Sequence, residues 1–456
     1  VVIKIRKRLK YSSTAIFILI IGNQQPFLIS IVLTGIMNFE HTEKFAQSCD
    51  QQDPLKSFRE EFSIPQISGK DAIYFCGNSL GLQPKLAREY VNRELDQWAQ
   101  LGVEGHFNGE RPWVKYHYLF KKSVAELVGA QEDEVVIMNN LTTNLHLLLV
   151  SFYWPHGKRY KILTEAGSFP SDIYALESQV KHHGYDPEDA ILELAPREGE
   201  YTLREEDILA AIEQYKDELA MVLFPGIQYY TGQLMPMEVI TKEAHKVGAT
   251  VGFDLAHAAG NVLLELHKWN VDFAVWCTYK YLNSGPGSVG GAFVNDRFAQ
   301  DNEIPRFAGW WGYNENKRFK MQSGFDPMYG ADGWQLSNAN ILGTAAHLAS
   351  MELFQKAGIH NLRKKSLALT AYLEFVIKSV DKNNIISIIT PENPQERGAQ
   401  LSLLIKENGR SLFDHLMAVG VVGDWREPDV IRLAPTPMYT SFMDVYQFGQ
   451  ILAKFI

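Results

Sequence analysis

Three cysteines in 456 residues (Cys49, Cys76 and Cys277) are too few for a disulfide scaffold, and their spacing suits no metal-ligand set. They fit a reducing cytosol, so a cytoplasmic protein is expected. A run of apolar residues long enough to cross a bilayer, ~20 in a row, is missing. So is a basic excess: the formal net charge is −9. Nucleic-acid binding needs concentrated Lys and Arg, so no nucleic-acid partner is expected. Internal repeats, low-complexity tracts and charge blocks are absent after the first few dozen residues, which excludes solenoid and disordered classes.

Residues 1–36 stand apart from the rest. They carry five basic residues (Lys4, Arg6, Lys7, Arg8, Lys10) and no Asp or Glu. A basic head with apolar runs at 15–21 and 27–33 suits a secretory signal or a membrane anchor. Against both, Gly22-Asn23-Gln24-Gln25-Pro26 splits the runs, and no small-x-small cleavage site leads into the acidic sequence after Met37. We expect a third origin: upstream reading frame joined by a misplaced start, with the protein beginning at Met37 and no membrane association. Removing the segment's +5 leaves −14 on residues 37–456. With 46% hydrophobic residues in the chain, the remainder can bury large cores and divide into two domains. The expected division is an arm over 37–70, a large domain over 71–340 and a small one over 341–456.

The pattern after residue 70 alternates between strand and helix signals. A short strand is expected over 72–76, then a turn-rich loop from Gly77. Pro84 is placed at the first position of a helix reaching Gln100, with Leu86, Tyr90, Leu95 and Trp98 as its apolar stripe. A glycine-flanked loop at 105–109 and a helix through Val128 come next. A helix over 139–149 begins Asn-Asn-Leu141-Thr142-Thr143. Such a start offers free N–H groups, hydroxyls and the positive end of the helix dipole to a phosphate, although it also reads as an ordinary capped helix. Strand 160–164 runs into Phe169-Pro170-Ser171-Asp172, strand 219–224 into Pro225, and helix 236–247 closes at Gly248. A helix over 337–357 leads out. Strand signals at 385–389, 399–405 and 430–433 mark a smaller α+β unit. The fold class expected is α/β, with a mainly parallel central sheet, helices on both faces and a smaller C-terminal α+β domain.

Residues 248–295 organise this pattern. Two continuous β-branched runs end abruptly in polar residues, at Asp254-Leu-Ala-His257 and at Tyr279-Lys280, with helix-compatible sequence between them. Such runs suit strands buried on both faces of a parallel sheet, where chemistry collects beyond the strand ends. Alone, either Asp254 or Lys280 would be an ordinary loop charge. Together, a strand-end lysine and an aspartate one strand earlier suit pyridoxal phosphate. The lysine forms a Schiff base with the aldehyde, and the carboxylate keeps the pyridine nitrogen protonated. Arg432 is a lone Arg in an apolar strand, set either for a carboxylate or for an internal salt bridge.

The wording GFDLAHAAGNV and DFAVWCTYKYLNSGPG resembles the kynureninase family of fold-type I pyridoxal phosphate hydrolases. The resemblance runs from about Ala72 to Phe442 through YFCGNSLGLQPK, GHFNGERPW, LTTNLHLLL, FPSD, YYTGQ, RFAGWWG, LSNANILG and IRLAPTPMYTSF. It implies hydrolysis of L-kynurenine or 3-hydroxy-L-kynurenine to an anthranilate and L-alanine, in tryptophan degradation and in NAD synthesis through quinolinate. It also implies a homodimer. Lys280 would carry the cofactor and, with Tyr279, move protons. Asp254 would meet the ring nitrogen. Leu141, Thr142, Phe169, Pro170, Ser171, Asp172, His257, Trp310 and Asn338 match other cofactor positions. Arg432 would hold the substrate carboxylate. Ser79, His106 and Asn338 match pocket positions of members that prefer the 3-hydroxy substrate. The residue-level alternatives stay open: His257 as a core histidine, Trp310 and Trp311 as core or interface aromatics, His106 as a loop histidine. Pro225 departs from members with a serine there, and having neither hydroxyl nor N–H it is no ligand. Rival readings are another enzyme of the same fold, an aminotransferase or cysteine desulfurase, and a binding protein without catalysis. A desulfurase needs a nucleophilic cysteine after the lysine, and none follows Lys280.

Overall fold

The computed structural model describes residues 38–456. The expectations for residues 1–36 and for Met37 fall outside the described residues. The arm begins with α1 (Glu43–Gln52), capped by the Thr42 hydroxyl, which accepts the Phe45 N–H. Gln66–Ile67 and Lys70–Asp71 then form a small hairpin turning at Ser68 and Gly69, both at positive φ.

Two expectations about the next helix are corrected. Pro84 does not open it: Pro84 closes a two-residue strand paired with Phe62–Ser63, and α2 (Leu86–Leu101) starts two residues later. A short edge strand tolerates the missing N–H. The buried face of α2 is Ala87, Tyr90 and Glu94, whereas Leu95 and Trp98 are exposed. Glu94 can occupy the inner face because Trp113 Nε1 and Tyr116 OH donate to its carboxylate at 2.8 and 2.9 Å. A buried carboxylate with its donors in place is tolerated, and a polarity pattern cannot reveal that.

The chain then lays down β1 (Val135–Met138), α3 (Leu141–Phe152), β2 (Lys161–Glu165), α4 (Pro170–His182), β3 (Ile191–Leu194), α5 (Glu205–Gln214), β4 (Leu219–Pro225), α6 (Met237–Lys246), β5 (Thr250–Asp254), β6 (Phe273–Cys277) and β7 (Gly290–Val294). The strands form one sheet in the order β1-β7-β6-β5-β4-β2-β3, with β7 alone running against its neighbours. Successive strand residues alternate between two apolar cores. Val222, Phe224, Val251 and Phe253 enter one, and Met221, Leu223, Phe273 and Val275 the other. Burial on both faces is why these strands read as continuous apolar runs. Between β5 and β6 the helix-compatible stretch is not helical. Residues 255–272 pass through successive turns, with Gly260 and Asn270 at positive φ, which a helix does not permit.

Next, α7 (Ile341–Ala357) starts four residues later than expected, because the Asn340 side chain caps it by accepting the Gly343 N–H. Then come α8 (Ile359–Val380), β8 (Ile386–Ile388), β9 (Leu401–Ile405), β10 (Asp424–Arg426), β11 (Val430–Leu433) and α9 (Phe442–Phe455). The last four strands form an antiparallel sheet in the order β8-β9-β11-β10. This smaller α+β layer stands beside the α/β part, and residues 40–456 hold together as one compact unit. Because β2, β4, β5 and β6 run parallel, Glu165, Pro225, Asp254 and Cys277 end them on one edge of the sheet.

Candidate active site

At that edge lies a cavity of about 170 Å³. The strand ends supply Glu165, Pro225 and Asp254, and the turns just beyond supply Ile227, Tyr229, Ala256, His257, Tyr279 and Lys280. The first turns of α3 and α4 close it with Leu141, Thr142, Phe169, Ser171 and Asp172. A wider surface groove of about 350 Å³ runs along α8 and β8. There Glu374 already pairs with Lys378 and Arg397, so size alone does not mark the site.

Each side chain is held by its local structure. Asp254 accepts the Ala256 N–H at 2.6 Å, which fixes its carboxyl at the end of β5. The Asp172 carboxyl lies beside it, and each acid perturbs the other. Lys280 Nζ sits 3.1 Å from His257 Nε2 and 5.7 Å from the centre of the Phe169 ring. Thr142 and Ser171 hydroxyls meet at 2.9 Å and join the two helix starts. Asn140 caps α3 by accepting the Thr143 N–H, and first-turn N–H groups have no partner within a helix. Behind the lysine, Gly81 N–H donates to the Tyr279 carbonyl at 2.8 Å. A Cβ at Gly81 would collide with the Lys280 carbonyl, so only glycine allows this contact.

Electrostatically the site is crowded with acid. Burial, then the neighbouring Asp254 charge, pushes Asp172 well above the usual carboxylate range. Burial also raises Asp254, opposed by Asp172 and by Lys280. Glu165 is pushed up to about 8 by burial and by Asp254. His257 is held neutral, first by burial and then by the Lys280 and Arg432 charges. Burial raises the Tyr279 phenol, which keeps its proton at neutral pH.

Three buried atoms on the cavity residues have no partner among the described residues: Glu165 Oε1, Asp172 Oδ1 and His257 Nδ1. Native structures rarely leave such atoms unsatisfied, so a polar occupant is called for. An aromatic face at Phe169, an acid pair at Asp254 and Asp172, a lysine, and two helix starts with hydroxyls fit pyridoxal phosphate.

Of the residues singled out in the sequence, Leu141, Thr142, Phe169, Ser171, Asp172, Asp254, His257, Tyr279 and Lys280 line this cavity. Pro170 is the first residue of α4, just behind the lining. Arg432 is buried one layer away. It pairs with Asp424 and donates Nη1 to the Tyr229 carbonyl at 2.7 Å, leaving Nε without a partner. Four others lie outside the lining. Trp310 is half-exposed, its Nε1 donating to the Arg318 carbonyl, while Trp311 is buried. Asn338 is exposed. His106 Nδ1 faces the Val103 carbonyl at 3.1 Å, its ring edge-on to Trp113. Ser79 N–H closes a turn onto the Cys76 carbonyl. Glu165, Tyr229, Ile227 and Ala256 were not singled out as site residues. Glu165 carried the same signal as Asp254, an acid ending an apolar strand. The others carried none.

Residues 362–452 match the kynureninase C-terminal domain family. Over 420 residues the chain is 57% identical to the kynureninase of Flavobacterium psychrophilum, covering 92% of this chain and 99% of that protein. It is 54% identical, with the same coverage, to the kynureninase of Flavobacterium johnsoniae. Among solved structures it is similar to the cysteine desulfurase of Thermococcus onnurineus, with a TM-score of 0.69 at 16% identity over 90% of this chain and 98% of that one. The cystine C–S lyase C-DES in complex with cysteine persulfide is similar as well, with a TM-score of 0.70 at 17% identity over 85% and 99%. These two likenesses speak for the fold.

Proposed function

The chain belongs to the kynureninase family, and from that premise we propose that its strand-end cavity hydrolyses L-kynurenine or 3-hydroxy-L-kynurenine, releasing the corresponding anthranilate and L-alanine. The carrying observation is the convergence of Lys280, the Asp254–Asp172 pair and two helix starts on one cavity. A place in tryptophan breakdown and in the supply of NAD precursors follows from the family.

Pyridoxal phosphate, when bound, supplies a sink for the electron pairs left on the substrate's α- and β-carbons. The chain supplies the rest. Leu141 and Thr142 N–H groups, with the Thr142 and Ser171 hydroxyls, would hold the phosphate at the positive ends of α3 and α4. Phe169 would cover one ring face. Asp254, with Asp172 beside it, would keep the ring nitrogen protonated. Lys280 Nζ would carry the cofactor between turnovers, then take the proton from the substrate α-carbon and return it. The neutral His257 Nε2 beside Nζ can accept a hydrogen bond from the ammonium without adding charge. Tyr279, a neutral phenol, would exchange its Oη proton with the carbonyl end as water adds and the Cβ–Cγ bond breaks. Arg432 would anchor the substrate carboxylate, with its unpartnered Nε as the free donor.

A desulfurase reading has the fold behind it but not the chemistry: the last cysteine, Cys277, is buried in β6 and precedes the lysine. The working assembly in this reading is a homodimer, since Trp98, Phe107, Trp310, Phe319 and Met321 leave much apolar surface exposed. Light scattering that found a fully active monomer would refute it. A cytoplasmic location fits the three free cysteines, and among the described residues no helix is long and apolar enough to cross a membrane. The test of function is direct. Purified chain loaded with pyridoxal phosphate should convert kynurenine to anthranilate and alanine in equal amounts, and Lys280→Ala should abolish turnover. Substantial hydrolysis by that variant would sink the proposal.

A further inference from the structure

We infer that Gln400 is a positioning residue of this site: its one buried amide ties the Asn78–Ser79 turn to the Tyr229 carbonyl, and through that carbonyl it sets the Arg432 guanidinium for a substrate carboxylate. The inference rests on reading the cavity as the kynurenine site.

Gln400 directly precedes β9 and is 1% exposed. Its amide is oriented by what surrounds each end. Nε2 stands among acceptors: the Tyr229 carbonyl at 2.9 Å, the Tyr230 carbonyl at 3.3 Å and the Ser402 hydroxyl at 2.9 Å. An N–H donor satisfies those oxygens and a carbonyl oxygen would not, so Oε1 is turned the other way. There it accepts Asn78 Nδ2 at 2.8 Å, a bond between two buried side chains. Asn78 sits in the turn that the Ser79 and Leu80 N–H groups close on the Cys76 carbonyl, at 3.0 and 3.1 Å.

The backbone around Gln400 is seated just as closely. Ala399 N–H donates to Asn261 Oδ1 at 2.9 Å, and Asn261 Nδ2 donates to the His257 carbonyl at 2.9 Å. A Cβ on Gly398 would collide with Asn261 Nδ2, so this segment presses on the turn that carries His257. Ala399 also packs with Tyr281, next to Lys280, and with Ala434, just beyond Arg432. Gln400 therefore reaches the loop after β4 from a backbone already docked on the site.

The consequence falls on Arg432. A carbonyl oxygen has two lone pairs, and the Tyr229 carbonyl receives two donors, Gln400 Nε2 and Arg432 Nη1, the latter at 2.7 Å. Asp424 pairs with Nη2. The guanidinium is thus held through both terminal nitrogens, and Nε is left without a partner among the described residues. A planar fork grips a carboxylate well only when its edge faces the ligand. Removing the Gln400 donor frees the Tyr229 carbonyl to swing, and the guanidinium with it. Tyr229 also lines the cavity, its ring edge-on to Phe169 with 5.3 Å between centroids.

The experiment places Q400M, which fills similar space without either hydrogen bond, in the wild-type and in an R432K background. Lysine is a point charge with no fork to orient. Steady-state kinetics and kynurenine binding, read from the cofactor's absorbance, are measured for each loaded variant. With Arg432 present, Q400M should raise KM and Kd about tenfold, the size of one positioning hydrogen bond, and change kcat by less than about threefold. With lysine there, Q400M should change them by less than about twofold, because residues acting through one another do not add. Where R432K turns over too slowly for a KM, the Kd carries that arm. If Q400M does not fold, Q400N, a methylene too short to reach both Asn78 and Tyr229, replaces it. An unchanged KM beside Arg432, an equal rise in both backgrounds, or a loss confined to kcat overturns the inference. A wild type that does not hydrolyse kynurenine would instead sink the functional reading, and the inference with it.

Discussion

Two of the clusters of buried charge among the described residues are built in opposite ways. In the first, where α1 and the segment after it dock on α8 and α9, each acid meets a partner. Asp50 accepts the Phe442 and Met443 N–H groups at the start of α9, at 2.7 and 3.0 Å. Asp53 pairs with Lys365 at 2.7 Å, and Asp444 with Arg59 at 2.8 Å. Ser441 and Asp444 complete a capping box on the same helix. In the second nest, the cavity, Glu165, Asp172 and His257 each keep an unpartnered atom. Burial raises Asp50 and Asp444 just as it raises Asp172 and Asp254, so burial does not distinguish the two. Completeness of partnering does. A nest whose acids are all paired ties the arm to the body, whereas the cavity keeps polar atoms that a ligand can engage.

Exchanging a lysine in each nest gives the sharpest test. Lys280→Ala should lose all measurable turnover while unfolding in urea near the wild-type midpoint. Lys365→Met should do the reverse. It leaves Asp53 buried without its cation, which costs about 3 kcal/mol or more of folding stability, yet turnover per folded molecule should stay within about twofold. If Lys365→Met lost turnover without losing stability, the contrast between the nests would collapse.

The smallest expected effect concerns substrate choice. The resemblance implies that Ser79, His106 and Asn338 are pocket residues of the kind found in members that prefer 3-hydroxykynurenine, and on that reading wild type should show the higher kcat/KM for that substrate. A site that bonds a desolvated hydroxyl discriminates better than one that merely has room. In one chain these residues stand outside the cavity lining, so a His106/Asn338 double variant should shift the ratio modestly, about tenfold or less. Competition between the two substrates measures it. An unchanged ratio, or a wild type favouring plain kynurenine, would refute the assignment.

Sequence alone was enough for the mainly parallel character of the sheet and its central strands, the family wording and the strand-end pair Asp254 and Lys280, because these are local or periodic properties; the edge strands Val135–Met138 and Ile191–Leu194 carried no such signal. An apolar run buried on both faces looks the same in any context, and a polar residue ending it must emerge at the sheet edge. Tertiary structure decided what depends on partners distant in the chain. Glu94 lies on an inner face because Trp113 and Tyr116 reach it. Residues 255–272 are turns because Gly260 and Asn270 adopt positive φ. Arg432 meets Asp424 and the Tyr229 carbonyl because β10, β11 and the loop after β4 converge. Hydrogen bonds and charges act over a few ångströms of space whatever their separation in sequence, so a linear pattern can announce the edge of the site but not which of its groups remain unpaired.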